Sequence, residues 1–349
     1  MSTKGGRKAR LSLALDSHTR SIKEMFQILE KSAARSDSSL KKVEWSQVMK
    51  LGDEVSKKAT AAGILWSGEV PNIKQLEENM EAYFNVLHGF LLHCHGSTVG
   101  AGITLHTSIR ASAKQVVDTS LALLKEAVNC ESSISSKRSS IPQLSGCVWE
   151  ACASLKKTPS DNYIAIGRAI THVAVSVKDV LREMNELKPA VSNSSPDEDD
   201  GSGDDEFGDD LSPEEMIVAQ FATKSVSCVL LALKEVIRYV SNLLKLKNEK
   251  NESLEHVDSL ERLLSCCKEM GTQANEFGAS VYPPQEISLM KASIEKMYTA
   301  IDEMQNVFDI TGSPDEGLLA SFKELESSVK KLESCLGDSV NCEMERLAL

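Results

Sequence analysis

A chain of 349 residues exceeds the length at which a single core keeps growing, so two domains are expected. Hydrophobic residues make up 41%, aromatics only 5%, and nine prolines interrupt the chain, which disfavours a strand-and-turn fold. The net charge of −12 argues against non-specific nucleic-acid binding, which needs clustered Lys and Arg.

The opening stretch MSTKGGRKARLSL is charged and lacks the apolar run of a signal peptide. Its Lys4, Arg7, Lys8 and Arg10 read either as a weak nuclear-import signal or as a solvated terminus. Short helices follow at about 12–33 and 44–62. Beyond Pro71, the seam Ile73, Leu76, Met80, Tyr83, Leu87 and Leu91 predicts a longer helix. The stretch 103–128 carries two apolar stripes, one through Leu105 and Ile109 and one through Val117, Leu121, Leu124 and Val128. A helix apolar on two sides sits centrally in its bundle. After a short helix at 142–156, Tyr163, Ile166, Ile170, Val173, Val177, Val180, Met184 and Leu187 make one clean seam, capped at Thr158-Pro159 and ended at Pro189.

Between Pro189 and Thr223 lie eleven acids and no basic residue, so this one stretch carries nearly all of the net charge of −12. Asp197, Glu198, Asp199, Asp200, Asp204, Asp205, Glu206, Asp209 and Asp210 stand among Ser, Pro and Gly with a single aromatic, Phe207. Such a composition cannot bury enough apolar surface to order itself, which predicts a flexible acidic linker over 189–212. About 24 flexible residues would span roughly 25–30 Å and let the flanking bundles move independently.

Four seams occupy the second half: Val226 to Leu244, Val257 to Ala274, Ile287 to Phe308, and Leu318 to Leu336. Ser212-Pro213-Glu214-Glu215 and Ser313-Pro314-Asp315-Glu316 each offer an N-cap serine, proline in the first turn and acids against the helix dipole. Asn251-Glu252-Ser253 and Pro283-Pro284 mark the other joints. The expected architecture is all-α: an N-terminal bundle of five to six helices over 1–188, the acidic linker, and a C-terminal four-helix bundle over 213–349. No run reaches the 18 apolar residues of a membrane span; VSCVLLAL at 226–233 is among the longest.

Candidate chemistry is sparse. His88, His93, Cys94, His95 and His106 lie near one another, but one residue between His93 and His95 directs their side chains apart, which suits helix-end capping better than zinc. Gly96 to Gly102 has the glycines of a phosphate loop without its Gly-Lys-Ser/Thr ending, and reads as a tight turn. Cys147, Cys152, Cys266 and Cys267 form no Cys-x-x-Cys, and nine cysteines without a leader read as reduced, mostly buried thiols. No catalytic constellation is specified, so no enzyme, metal or cofactor is expected. Leu318, Leu325 and Leu332 repeat every seven residues, which suits a zipper to a partner helix or, more ordinarily, an intramolecular bundle. Ser194, Ser195 and Ser202 precede acids by three residues, and Ser195 and Ser212 precede proline, making these four candidate phosphosites.

LHGFLLHCHGSTVGAGITL (87–105), VWEACASLKKTPSDNYIAIGRAI (148–170), FATKSVSCVLLALKEVIRYV (221–240) and VYPPQE (281–286) resemble the cyclin-D-binding, Grap- and cyclin-D-interacting (GCIP) proteins. The resemblance covers most of the chain and implies a non-enzymatic, acidic, two-bundle protein of cytoplasm and nucleus, its bundles similar to those of talin and vinculin. It further implies negative regulation of the cell cycle and transcription, through binding of D-type cyclins or of helix-loop-helix transcription factors. Only Lys156 and Lys157 precede the helix pair that fits the helix-loop-helix label, so direct DNA reading is not expected. A second class, a cytoskeletal or adhesion adaptor, follows from the talin and vinculin likeness, although an acidic chain is poorly matched to acidic actin.

Overall fold

The computed structural model describes residues 4–30, 41–67, 73–130, 140–188, 211–246, 253–312 and 314–347. Among them are ten α-helices and no β-strand, so the all-α reading holds. They are α1 (Lys4–Glu30), α2 (Trp45–Ser67), α3 (Ile73–Ser97), α4 (Ile103–Cys130), α5 (Ser140–Ser154), α6 (Asn162–Met184), α7 (Pro213–Lys245), α8 (Leu254–Ser280), α9 (Ile287–Thr311) and α10 (Glu316–Leu347). A single 3-10 turn, Leu155–Lys157, follows α5.

Tertiary contacts divide the chain into two compact units, Met1–Ala165 with Glu252–Val257, and Ile166–Asn251 with Asp258–Leu349. The division falls inside α6 rather than at residue 188, where composition alone would place it. Most of α6 therefore belongs with α7 to α10, and the second bundle has five helices rather than four.

In the first unit α4 packs against α1, α2, α3 and α5, the central position its two stripes predict. Leu105, Ile109, Val117, Leu121, Leu124 and Val128 are all buried. Each such side chain contributes about 1.5–3 kcal/mol relative to exposure. Two buried polar groups are paired between elements: Tyr83 donates its hydroxyl to Ser120 Oγ at 3.1 Å, and Trp45 donates its indole N–H to the Leu155 carbonyl at 3.2 Å. Small residues let α2 approach its neighbours closely. A Cβ on Gly52 would lie 2.4 Å from Leu155 Cδ1, and one on Gly63 would lie 2.6 Å from Ser145 Oγ.

The second unit is built on α7. Among its buried residues are Val226, Cys228, Val229, Leu230, Ala232 and Leu233, a run that leaves few faces polar. By length and composition alone α7 could cross a membrane, with 56% of its apolar window buried inside the unit. A core helix of a bundle reads the same way. One end of the unit is closed by aromatic edges, with Tyr239 and Phe308 centroids 5.3 Å apart at 77° and Phe308 and Phe322 5.8 Å apart at 76°. The Tyr239 hydroxyl donates to the Gly312 carbonyl at 2.9 Å. Helix α6 is fitted to α8 by two glycine sockets: a Cβ on Gly271 would stand 2.4 Å from Val173 Cγ1, and one on Gly278 2.5 Å from Val180 Cγ1. Both pairs are seven residues apart, so one helix face meets another in register.

Helix starts agree with the sequence in two places and shift in two. Ser212 and Glu215 form a reciprocal capping box, with proline following the cap. Ser253 Oγ accepts the His256 N–H at 3.3 Å at the head of α8. At α6 the cap is Asp161, whose Oδ1 accepts the Ile164 N–H at 3.0 Å, rather than Thr158. At α10 it is Asp315, whose Oδ1 accepts the Leu318 N–H at 2.8 Å, while Ser313 lies outside the described residues. An aspartate adjoining the first turn offers both the acceptor and the charge that a helix N-terminus favours, so it outcompetes a more distant hydroxyl.

Candidate functional site

Four of the five residues of the His–Cys cluster are sent to separate tasks. His88 Nε2 lies 3.0 Å from Ser21 Oγ on α1, His93 Nδ1 lies 2.9 Å from the Gly89 carbonyl in its own helix, and His106 Nε2 lies 2.9 Å from the Leu29 carbonyl. Cys94 is fully buried, and burial pushes its thiol upward. Among the described residues no three of His, Cys, Asp and Glu are grouped to hold a metal ion.

The glycine stretch is a structural turn. Gly100 adopts φ +72°, the left-handed region that favours glycine. Asn162 clamps the turn from the head of α6: its Oδ1 accepts the Gly102 N–H at 2.8 Å and its Nδ2 donates to the Gly100 carbonyl at 2.9 Å. Nothing in the sequence marks Asn162, because the pairing depends on two segments 60 residues apart meeting in space.

Burial also governs the cysteines. Desolvation pushes Cys152 up to about 12 and Cys266 up to about 11, and raises Cys267 as well. Thiols held protonated in this way are poor nucleophiles at neutral pH. Cys147 alone among the described cysteines is exposed.

Leu318, Leu325 and Leu332 are each 0% exposed. Helix α10 packs chiefly on α7 and also on α9, so these three heptad leucines are buried inside its own unit. Flanking polar contacts fix the register, with Ser225 and Ser328 hydroxyls 3.1 Å apart and Lys224 Nζ 2.8 Å from Glu324 Oε1.

The nine acids Asp197 to Asp210, with Ser194, Ser195 and Ser202, lie outside the described residues. Their two flanks are described, and they meet: the Leu211 N–H donates to the Lys188 carbonyl at 3.3 Å. Leu211 is fully buried, and both flanks belong to the second unit. The described chain thus leaves at Lys188 and resumes beside it at Leu211. Ser212 is the N-cap of α7, with its Oγ accepting the Glu215 N–H at 3.2 Å while Glu215 Oε2 accepts the Ser212 N–H at 2.9 Å. A phosphate on Ser212 would meet that carboxylate where an uncapped helix end would have offered bare N–H groups. The carbonyl of Glu215 also accepts from Gln285 Nε2 at 2.8 Å, tying the α8–α9 corner to the head of α7.

Large apolar side chains remain on the surface. In the first unit they include Ile64 at 69% exposure, Leu92 at 61% and Trp149 at 45%, the last donating its indole N–H to Thr60 Oγ1 at 3.0 Å. No periodicity isolates them, since they stand beside seam positions and not on them.

Residues 47–190 match the family described as Grap2 and cyclin-D-interacting, N-terminal, and residues 196–306 match its C-terminal counterpart. A Xenopus laevis protein named "Cyclin-D1-binding protein 1 homolog" is 25% identical over 209 residues, covering 58% of this chain and 60% of the relative. The chain thus spans less than two thirds of that relative's length. Both halves of the family pattern occur here in order, one after the other, and the chain belongs to the Grap2 and cyclin-D-interacting protein family.

Proposed function

We propose that this chain is a non-enzymatic regulator that binds D-type cyclins and restrains cell-cycle progression, acting in both cytoplasm and nucleus. The observation that carries the reading is the ordered match of both family halves, together with the name of the Xenopus relative. The fate of the polar clusters supports it. His88 and His106 hold helices together, and the thiols of Cys94, Cys152, Cys266 and Cys267 are held protonated by burial. Such groups serve the scaffold, and a scaffold of helices is suited to presenting surfaces to other proteins.

The test is a calorimetric titration of purified full-length chain with a purified D-type cyclin, alone and bound to its kinase. Binding at about 10 μM or tighter supports the reading, and no heat or complex at about 100 μM rejects it. Dimerisation with helix-loop-helix transcription factors is a further part of the proposal, read by the same titration with such a factor. Phosphorylation of Ser194, Ser195, Ser202 or Ser212 would adjust the charge of the acidic segment, and phosphopeptide mapping of protein from cells checks it.

A further inference from the structure

Helix α1 is laid on α3 and α4 with a histidine at the edge of its buried seam. Leu11, Leu15, Thr19, Ile22 and Leu29 of α1 are buried, and the half-buried His18 stands beside Thr19 at the edge of that stripe. Its ring stacks on Phe84 of α3, with centroids 4.6 Å apart and planes at 12°. One turn later Ser21 meets His88 Nε2 at 3.0 Å. At the far end the buried His106 of α4 meets the Leu29 carbonyl at 2.9 Å. Three imidazoles thus lie along one helix interface.

We propose that α1 is a pH-released cover: protonation of His18 in this interface detaches α1 from α3 and α4 while the rest of the first unit stays folded. The groups facing α1 set the balance. On α3 these are Glu77, Glu81 and His88, and on α4 they are His106 and Arg110. Arg10 Nε pairs with the half-buried Glu77 at 2.9 Å, and Glu30 pairs with Arg110 at 2.8 Å in an exposed pair that holds its end weakly. Asp16, Arg20, Lys23 and Glu24 lie on the exposed side of α1. Burial lowers the pKa of His18, the neighbouring His88 lowers it further, and Glu81 opposes them. A protonated ring over Phe84 would gain some cation–π attraction, yet the net direction remains downward.

The sign follows from linkage. A histidine whose pKa is lower when docked binds fewer protons in the docked state than in the released one. Docking is therefore at full strength above the free-histidine value of about 6.5 and weakens as pH falls below it. One histidine contributes at most about a tenfold rise in release per pH unit.

The experiment is amide hydrogen exchange on the full chain at about pH 7.5 and about pH 5.5, corrected for the intrinsic pH dependence of exchange. Protection of amides 11–30 should fall several-fold at the lower pH, while α4 and α5 keep theirs. His18→Phe, which keeps the stack and the seam, should keep α1 protected at both. Unchanged α1 protection in the wild-type chain overturns the proposal. So does parallel loss across the whole first unit, or a His18→Phe variant as pH-sensitive as the wild type. Imidazole proton resonances give a check that needs no variant: His18 should titrate below about 6.5, in step with α1 release, and a midpoint at or above that value overturns the proposal.

Discussion

Ser212 shows how much a single hydroxyl holds. It caps α7, is reached in turn by Glu215, and stands beside the buried Leu211. Ser212→Ala removes the acceptor and should cost about 1 kcal/mol in urea denaturation of the full chain. Ser212→Asp restores an acceptor but sets a second carboxylate beside that of Glu215, so it should recover only part of the loss. Equal stability of all three proteins would show that the box contributes nothing. Thiol chemistry tests burial at the same scale. Iodoacetamide at neutral pH should modify Cys147 and leave Cys152, Cys266 and Cys267 intact until denaturant is added, as read by peptide mass mapping. Early modification of Cys267 would contradict its packing.

Between elements, the glycine sockets decide which bundle owns α6. Valine is stiff at χ1 in a helix, so Val173 cannot swing away from a new methyl group on α8. Gly271→Ala should therefore cost about 1–3 kcal/mol, and Val173→Ala in the same chain should recover much of it. Additive losses in that double-mutant cycle would mean that the two residues do not touch. The sequence reads well where a helix has one apolar stripe: most seam positions of α6 to α10 are buried, with Val173, Val180 and Ile237 half-buried, and α4 with two stripes is central. It reads poorly where the determinant is a small residue. Gly271 and Gly278 look like weak points of a seam until Val173 and Val180 are seen to fill them. Heptads are ambiguous for the opposite reason. Leu318, Leu325 and Leu332 satisfy a zipper and a bundle equally, and only the presence of α7 decides.

For the molecule as a whole, the acidic segment is legible as composition but not as topology. Nine acids between Lys188 and Leu211 predict by composition a segment outside any core, while nothing in those residues says that the flanks, Lys188 and Leu211, meet at 3.3 Å. Because they meet, replacing 190–210 with a four-residue Gly-Ser turn should leave the fold intact. Shortening the closed stretch should also raise stability on the order of 1 kcal/mol, read from the urea midpoint. A large loss would mean that the segment props the bundle. The proposed cyclin partner rests on family likeness alone, since no charge pattern or seam encodes a cyclin surface. The most direct test of the central claim uses the tagged full chain and the shortened one, expressed in parallel in cells and purified, with co-purifying D-type cyclin quantified in each. The account predicts cyclin with the full chain. It is contradicted if the full chain retains no cyclin above the level of an unrelated acidic helical bundle.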